Sequence, residues 1–267
     1  MISVFDADHY TIPASHVLST YIREYDIAKA NISILLTKGL ITPEQYAVFY
    51  NMPKHEREVK VGLMQKYDKN LSRSLMEGFG EARKIFYEAN NIKEHEILSV
   101  KKDAIFLMDR APTNLKFGNI EFKFKNEYTS FYNLPGLEVY YQGYGNVEKI
   151  DVKGIGNESL LLHKDHMLEL LCVIFSAAQT EKAVDVLNLI SGITEAYLSG
   201  EMGVDYYREF NNRSWFRTYY TFDNERAYLR YLDKGVGVKD IDPSYNHYIL
   251  QLLYRIFSER YIASMQF

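Results

Sequence analysis

The 267-residue sequence contains one cysteine, one tryptophan and six prolines, and no long uninterrupted apolar run. A single cysteine, Cys172, excludes a disulfide framework and any cysteine-rich metal site, and it suits a reducing compartment. A helix needs roughly 18–20 consecutive apolar residues to span a bilayer, so no membrane association is expected. The opening stretch to Pro13 carries acids where a secretory signal needs a basic region and an apolar core. Charge of one sign is also missing: a net charge of −4 gives no chain-wide attraction for nucleic acid. The sequence has no phosphate-binding P-loop, no dinucleotide glycine fingerprint, no His-Glu-x-x-His and no Gly-x-Ser-x-Gly elbow. His163 and His166 form the one close histidine pair; beside Asp165 such a pair could bind a metal, and it equally fits the solvated start of a helix.

What is present is ordinary for a globular chain, with 47% apolar and 25% charged residues. Residues 16–27 are β-branched and aromatic, and their second half reads as a buried strand ending near Asp26. A short helix follows, stopped by Gly39, and a second begins after Thr42 with Pro43 at its first position. Leu71, Leu75, Phe79, Ala82, Phe86 and Ala89 recur at helical spacing, and Asn90-Asn91 ends that helix. Two apolar runs around Lys101-Lys102-Asp103 predict a hairpin. Alternating segments at 120–126 and 137–142 then extend a mixed sheet to about residue 155. Beyond residue 164 three apolar stripes predict helices: Met167 to Ala178, Ala183 to Tyr197, and Ile249 to Phe257. The fold class is therefore α+β, a helix-backed sheet followed by a helical domain.

Two carboxylates stand out by position. Asp26 ends an apolar strand and Asp103 sits at a hairpin tip, places where a sheet presents charge without burying it. On neighbouring strands they would meet at one edge and could hold two divalent cations for phosphoryl transfer. Between them in sequence, Lys54, Arg57 and Lys60 fall on adjacent turns of one helix, a basic face suited to a triphosphate. Read alone, the aspartates are also compatible with ordinary turn residues and the charges with a solvated helix face.

The order of these motifs resembles the polymerase core of family B DNA polymerases. Tyr25-Asp26-Ile27-Ala28-Lys29-Ala30-Asn31-Ile32 is similar to the first palm motif, with Asn31 at the place of its sugar-packing tyrosine. Lys54 and Gly62 keep the lysine-to-glycine spacing of the fingers motif. Residues 71–83 resemble the helix returning to the palm, and Ser99 to Phe106 resembles the third motif, with Lys101-Lys102-Asp103 in place of Asp-Thr-Asp. Tyr140 and Tyr141, with Lys153-Gly154 further on, are similar to the segment that touches the primer-template. The family's amino-terminal and exonuclease domains have no counterpart ahead of the first motif.

The resemblance implies a palm in residues 1–38 and 71–156, short fingers in 39–70 and a helical thumb-like domain in 157–267. It implies Asp26 and Asp103 as catalytic metal ligands for two Mg2+ or Mn2+ ions, and Lys54, Arg57, Asn31 and Gly62 as substrate-binding residues. Lys153, Gly154 and Tyr140 would contact nucleic acid, and Lys101 and Lys102 would compete with a cation beside them. The implied partners are primer-template nucleic acid, nucleoside triphosphates and other polymerase subunits. The expected location is the cytoplasm, a host's cytoplasm if the genome is viral. Two other readings stay open. One is an inactive palm that binds nucleic acid or a partner subunit; the other is an unrelated interaction protein using its 23 tyrosines and 15 phenylalanines.

Overall fold

The computed structural model describes residues 3–18, 20–134, 137–144, 148–153 and 157–199, with scattered positions between 250 and 262; for residues 137, 157–168 and 197–199 it describes the backbone alone. Strands β1 (His9–Thr11) and β2 (His16–Val17) precede the long central strand β3 (Ile22–Ile27). Helices α1 (Ala30–Thr37), α2 (Pro43–Asn51), α3 (Lys54–Tyr67) and α4 (Lys69–Ala89) follow without an intervening strand. Then come β4 (Ile97–Lys101), β5 (Ala104–Met108), β6 (Lys116–Phe117), β7 (Ile120–Tyr128), β8 (Ser130–Leu134), β9 (Leu137–Gln142) and β10 (Lys149–Lys153), and finally α5 (Asn157–Thr180) and α6 (Ala183–Ser199). The α+β class expected from the sequence is the class found.

The chain divides into two compact units, residues 1–14 with 18–130 and residues 15–17 with 131–267. In the first unit, six strands form one sheet in the order β1-β4-β5-β3-β7-β6, and every ladder in it is antiparallel. The expected mixed sheet running to residue 155 is thus corrected in two ways. No parallel pair occurs in this sheet, and the strands after residue 130 build a separate sheet in the second unit, ordered β10-β9-β8-β2.

Local chemistry explains the elements around the site. Thr42 caps α2 through a reciprocal capping box: its hydroxyl accepts from Gln45 N at 3.2 Å, and the Gln45 side chain accepts from Thr42 N at 2.9 Å. Pro43 at the first helical position loses no hydrogen bond there. In α4, Leu71, Leu75, Phe79, Ala82 and Phe86 form one buried face packed into the core with Tyr25, Ile27, Ile105 and Leu107 of the sheet. Each Leu or Phe of that face contributes about 1.5–3 kcal/mol on burial. Asn90 caps α4, and Asn91 turns the chain with φ of +50°. Where α4 crosses α1, Gly78 permits close approach: a Cβ there would clash with Ile34 Cγ2.

In the second unit Leu170, Leu171, Ile174 and Phe175 of α5 are buried, as are Val186, Leu187 and Ile190 of α6. Phe175 packs on Tyr132 and Tyr141 with ring centroids 4.5 and 5.4 Å apart. Leu253 and Phe257, from the third sequence stripe, are buried too. Residues 201–249, Met167 and Tyr197 as side chains, and Ile249, Leu252 and Ile256 lie outside the described residues, as do the His163 and His166 side chains. Among the described residues no helix is long and apolar enough to cross a membrane.

Candidate functional site

β3 occupies the middle of the first sheet, with β5 on one side and β7 on the other. Its residues alternate: Tyr25 and Ile27 join the helix-backed core, while Glu24 and Asp26 share the opposite face. Asp26 pairs with Ala104 at the start of β5, so the residue before it, Asp103, reaches the same end of the sheet. The tie is direct, because Ile27 N donates to Asp103 O at 3.1 Å. Asp26 and Asp103 both line one cleft of about 260 Å3. Asp103 is partly buried, and burial first and the Asp26 carboxylate second hold its carboxyl above the ordinary aspartate range. When protonated, Asp103 can also share a hydrogen bond with Asp26.

The opposite wall of the cleft comes from α3 and the start of α1. Lys54, Arg57, Glu58 and Val61 contribute from α3, and Ala30 and Asn31 from the first turn of α1. Lys54 is largely exposed and pairs with Glu58 at 3.7 Å, one helical turn on. Arg57 is half-buried and donates to Met52 O at 3.3 Å, which holds its guanidinium near the helix start. Lys29 sits in the left-handed region at φ of +48°, donates to Tyr50 O at 2.6 Å and lies over the Tyr50 ring, linking the strand end to α2. The cleft is therefore lined by the acids Asp26, Asp103 and Glu58 together with the bases Lys29, Lys54 and Arg57.

The hairpin tip bearing Asp103 is clamped from behind. Lys102 adopts φ of +53°; its N–H donates to Asp8 O at 2.9 Å, and its carbonyl accepts from the Arg83 guanidinium. Arg83, fully buried on α4, also pairs with Asp8 Oδ1 at 2.5 Å. Lys101, expected to crowd a bound cation, instead reaches the sheet edge and donates to Thr11 Oγ1 at 3.1 Å. Lys102 is exposed at the tip. Neither lines the cleft.

The lysine that does face the acids is Lys125. β3 and β7 pair Glu24 with Asn126 and Tyr25 with Phe124, so Lys125 is the extra residue of a β-bulge. Its ammonium lies 3.2 Å from Glu24 Oε1 and 3.4 Å from Asp26 Oδ2. Burial opposes its charge, but Glu24 and then Asp26 outweigh that and hold Lys125 above its ordinary value. The remaining Asp26 oxygen, Oδ1, is buried without a hydrogen-bond donor. Among the described residues no three His, Cys, Asp or Glu side chains are grouped so as to hold a metal ion together.

Of the residues expected from the sequence, Asp26, Asp103, Lys54, Arg57 and Asn31 come together in this cleft. Gly62 is exposed on α3 and is not one of the residues lining it. Tyr140 and Lys153 belong to the second unit. Tyr140 is fully buried and donates to Glu138 Oε2 at 2.9 Å, and Lys153 pairs with Asp151 at 2.8 Å. Gly154 lies outside the described residues. Sequence reasoning missed Lys125, Glu24 and the Asp8–Arg83 clamp. The one visible trace of the bulge is the break in alternation at Lys125-Asn126-Glu127, three polar residues in a row.

Comparison with known proteins gives no match among curated proteins. Residues 5–255, nearly the whole chain, match one family model, and by that match the chain belongs to the bacteriophage PBS1 gene 130 protein family.

Proposed function

We propose that the chain is the palm-like core of a metal-dependent, template-directed nucleotidyltransferase of the DNA polymerase type. It would extend a primer 3′-hydroxyl with nucleoside triphosphate, release pyrophosphate, and work with partner subunits in the host cytoplasm. The observation carrying this reading is the meeting of Asp26 and Asp103 at one end of the antiparallel sheet, across a single cleft from Lys54 and Arg57. The residues present suit divalent cations: Asp26 Oδ1 is a buried carboxylate oxygen without a donor, and Asp103 stands against the same carboxylate. A pair of Mg2+ or Mn2+ ions held there would offset charge on the phosphate oxygens.

The chain's own residues have separable tasks in this reading. Lys54, exposed on its stem, draws the triphosphate in, and Arg57, held by Met52 O, offers its guanidinium to a phosphate oxygen. Asn31 lies on the cleft wall, where its amide can accept from or donate to a sugar hydroxyl. The resemblance to family B polymerases in motif order supports the same assignment. Mg2+- or Mn2+-dependent primer extension, alone and with other phage polymerase subunits, tests it. Asp26→Asn and Asp103→Asn should each lower extension by roughly a hundredfold or more, the scale of losing metal-held charge stabilisation. Extension that survives both substitutions overturns the reading.

A second reading has one specific observation behind it. Lys125 already offsets the charge of Glu24 and Asp26, as it would in a palm that has lost catalysis and serves as a binding module. Primer-template binding without extension in any metal would favour it.

A further inference from the structure

We propose that Lys125 is an internal counter-ion that competes with divalent cations for Asp26, so that cation binding proceeds by displacing the lysine. This rests on the reading of Asp26 and Asp103 as cation ligands. Its own support is the geometry around the bulge.

Lys125 holds two acids at once, Glu24 Oε1 at 3.2 Å and Asp26 Oδ2 at 3.4 Å, but the acids depend on it unequally. Glu24 is only 1% exposed, yet Asn126 Nδ2 donates to its Oε2 at 2.6 Å and the Tyr128 hydroxyl donates at 3.2 Å. If the lysine leaves, Glu24 keeps two neutral donors. Asp26 has no amide or phenol donor of that kind: its Oδ1 lacks a donor, Oδ2 faces Lys125, and Asp103 can donate to it only when protonated. The carboxylate that loses a partner is therefore the one lining the cleft beside Asp103.

Lys125 can also leave cheaply. Its side chain is 47% exposed, so the ammonium reaches water by rotating about its own stem. As the bulge residue it has no partner opposite it on β3, and its movement leaves the Glu24–Asn126 and Tyr25–Phe124 pairs in place. A monovalent charge spread over two acids is a weaker competitor than a divalent ion placed between Asp26 and Asp103. Lys125 thus keeps the acidic centre neutralised when no cation is bound, and it raises the cation concentration needed to fill the site.

Mn2+ binding to the full chain, followed by the electron paramagnetic resonance of free Mn2+, tests the proposal with wild type, Lys125→Met, Lys125→Arg and Asp26→Asn. Lys125→Met should bind Mn2+ tighter by about tenfold or more. Lys125→Arg, which keeps the charge, should stay near wild type. Thermal unfolding without metal gives an independent readout: Lys125→Met should melt lower than wild type, and added Mn2+ should raise its midpoint more than that of wild type. If Lys125→Met binds Mn2+ no tighter while Asp26→Asn abolishes binding, the lysine's role is overturned and the cation site stands. If Asp26→Asn binds Mn2+ as wild type does, the site assignment falls, and the lysine's role with it.

Discussion

The clamp behind Asp103 makes an asymmetric prediction. Arg83 is 0% exposed and Asp8 is 40% exposed, although they form one ion pair at 2.5 Å. Replacing Asp8 by Ala strands a buried guanidinium that still donates to the Lys102 carbonyl but whose Nε is already unpartnered. Breaking a buried pair this way costs about 3–5 kcal/mol, and because water reaches the Asp8 side of this pair the lower end, about 3 kcal/mol, applies. Replacing Arg83 by Met fills much of the same volume and leaves Asp8 free to hydrate. The Lys102 carbonyl, at an exposed turn, hydrates as well. The loss is then that of a charge-assisted hydrogen bond, about 1.5–3 kcal/mol. The double variant should resemble Arg83→Met, milder than Asp8→Ala alone. Urea unfolding with a common slope measures all three. If Arg83→Met costs more than Asp8→Ala, or if the two losses simply add, Arg83 is not the stranded charge the geometry makes it.

Three further outcomes follow from the same unit. Because the native state raises Asp103 above its ordinary value of 3.8, its favourable contribution is complete below that pH and is lost as pH rises through the native value. Asp103→Asn should therefore be more stable than wild type at pH 7, with an advantage that shrinks as unfolding is repeated toward pH 3.5; an equal advantage at both would refute the cause given. Gly78→Ala should lose about 1–3 kcal/mol by pressing on Ile34, outweighing its helix-propensity gain of about 0.5–1 kcal/mol. Gly62→Ala, with nothing within 4 Å of the new Cβ, should gain about 0.5–1 kcal/mol, and chemical denaturation of both variants checks the pair.

What could be read in advance was what repeats locally. The stripe from Leu71 to Phe86 specifies α4 because five apolar residues on one face leave the helix a single way to bury them. Thr42-Pro43 marks the start of α2 through groups within three residues of each other. Asp26 and Asp103 were legible as polar ends of apolar strands, and the short β4–β5 hairpin carries one toward the other. The rest depends on distant partners. Alternation reads alike in either sheet, so nothing in residues 131–142 announces that they leave the first sheet and, through Tyr132, take His16 as a neighbour. Arg83 falls on the buried face of α4, where periodicity admits only apolar side chains; its place becomes intelligible once Asp8 and Lys102 are seen against it. Tyr140, placed at nucleic acid by the motif resemblance alone, is buried in the second unit, and an aromatic strand reads alike whether it serves an interface or a core.

The bulge at Lys125 bears on how this strand tolerates change in length. Removing one residue from a β-strand ordinarily turns every following side chain to the wrong face. Here Asn126 already stands opposite Glu24 and Phe124 opposite Tyr25. Excising Lys125 alone would make those two residues sequential and restore regular alternation, with the hydrophobic set on both sides keeping its face. The strand is thus one residue longer than its ladder requires, and that surplus residue is the only one whose loss the ladder would accept without a shift of register. A single-codon deletion, usually the harshest lesion an interior strand can suffer, would here yield a regular sheet in which Asp26 has lost its counter-ion.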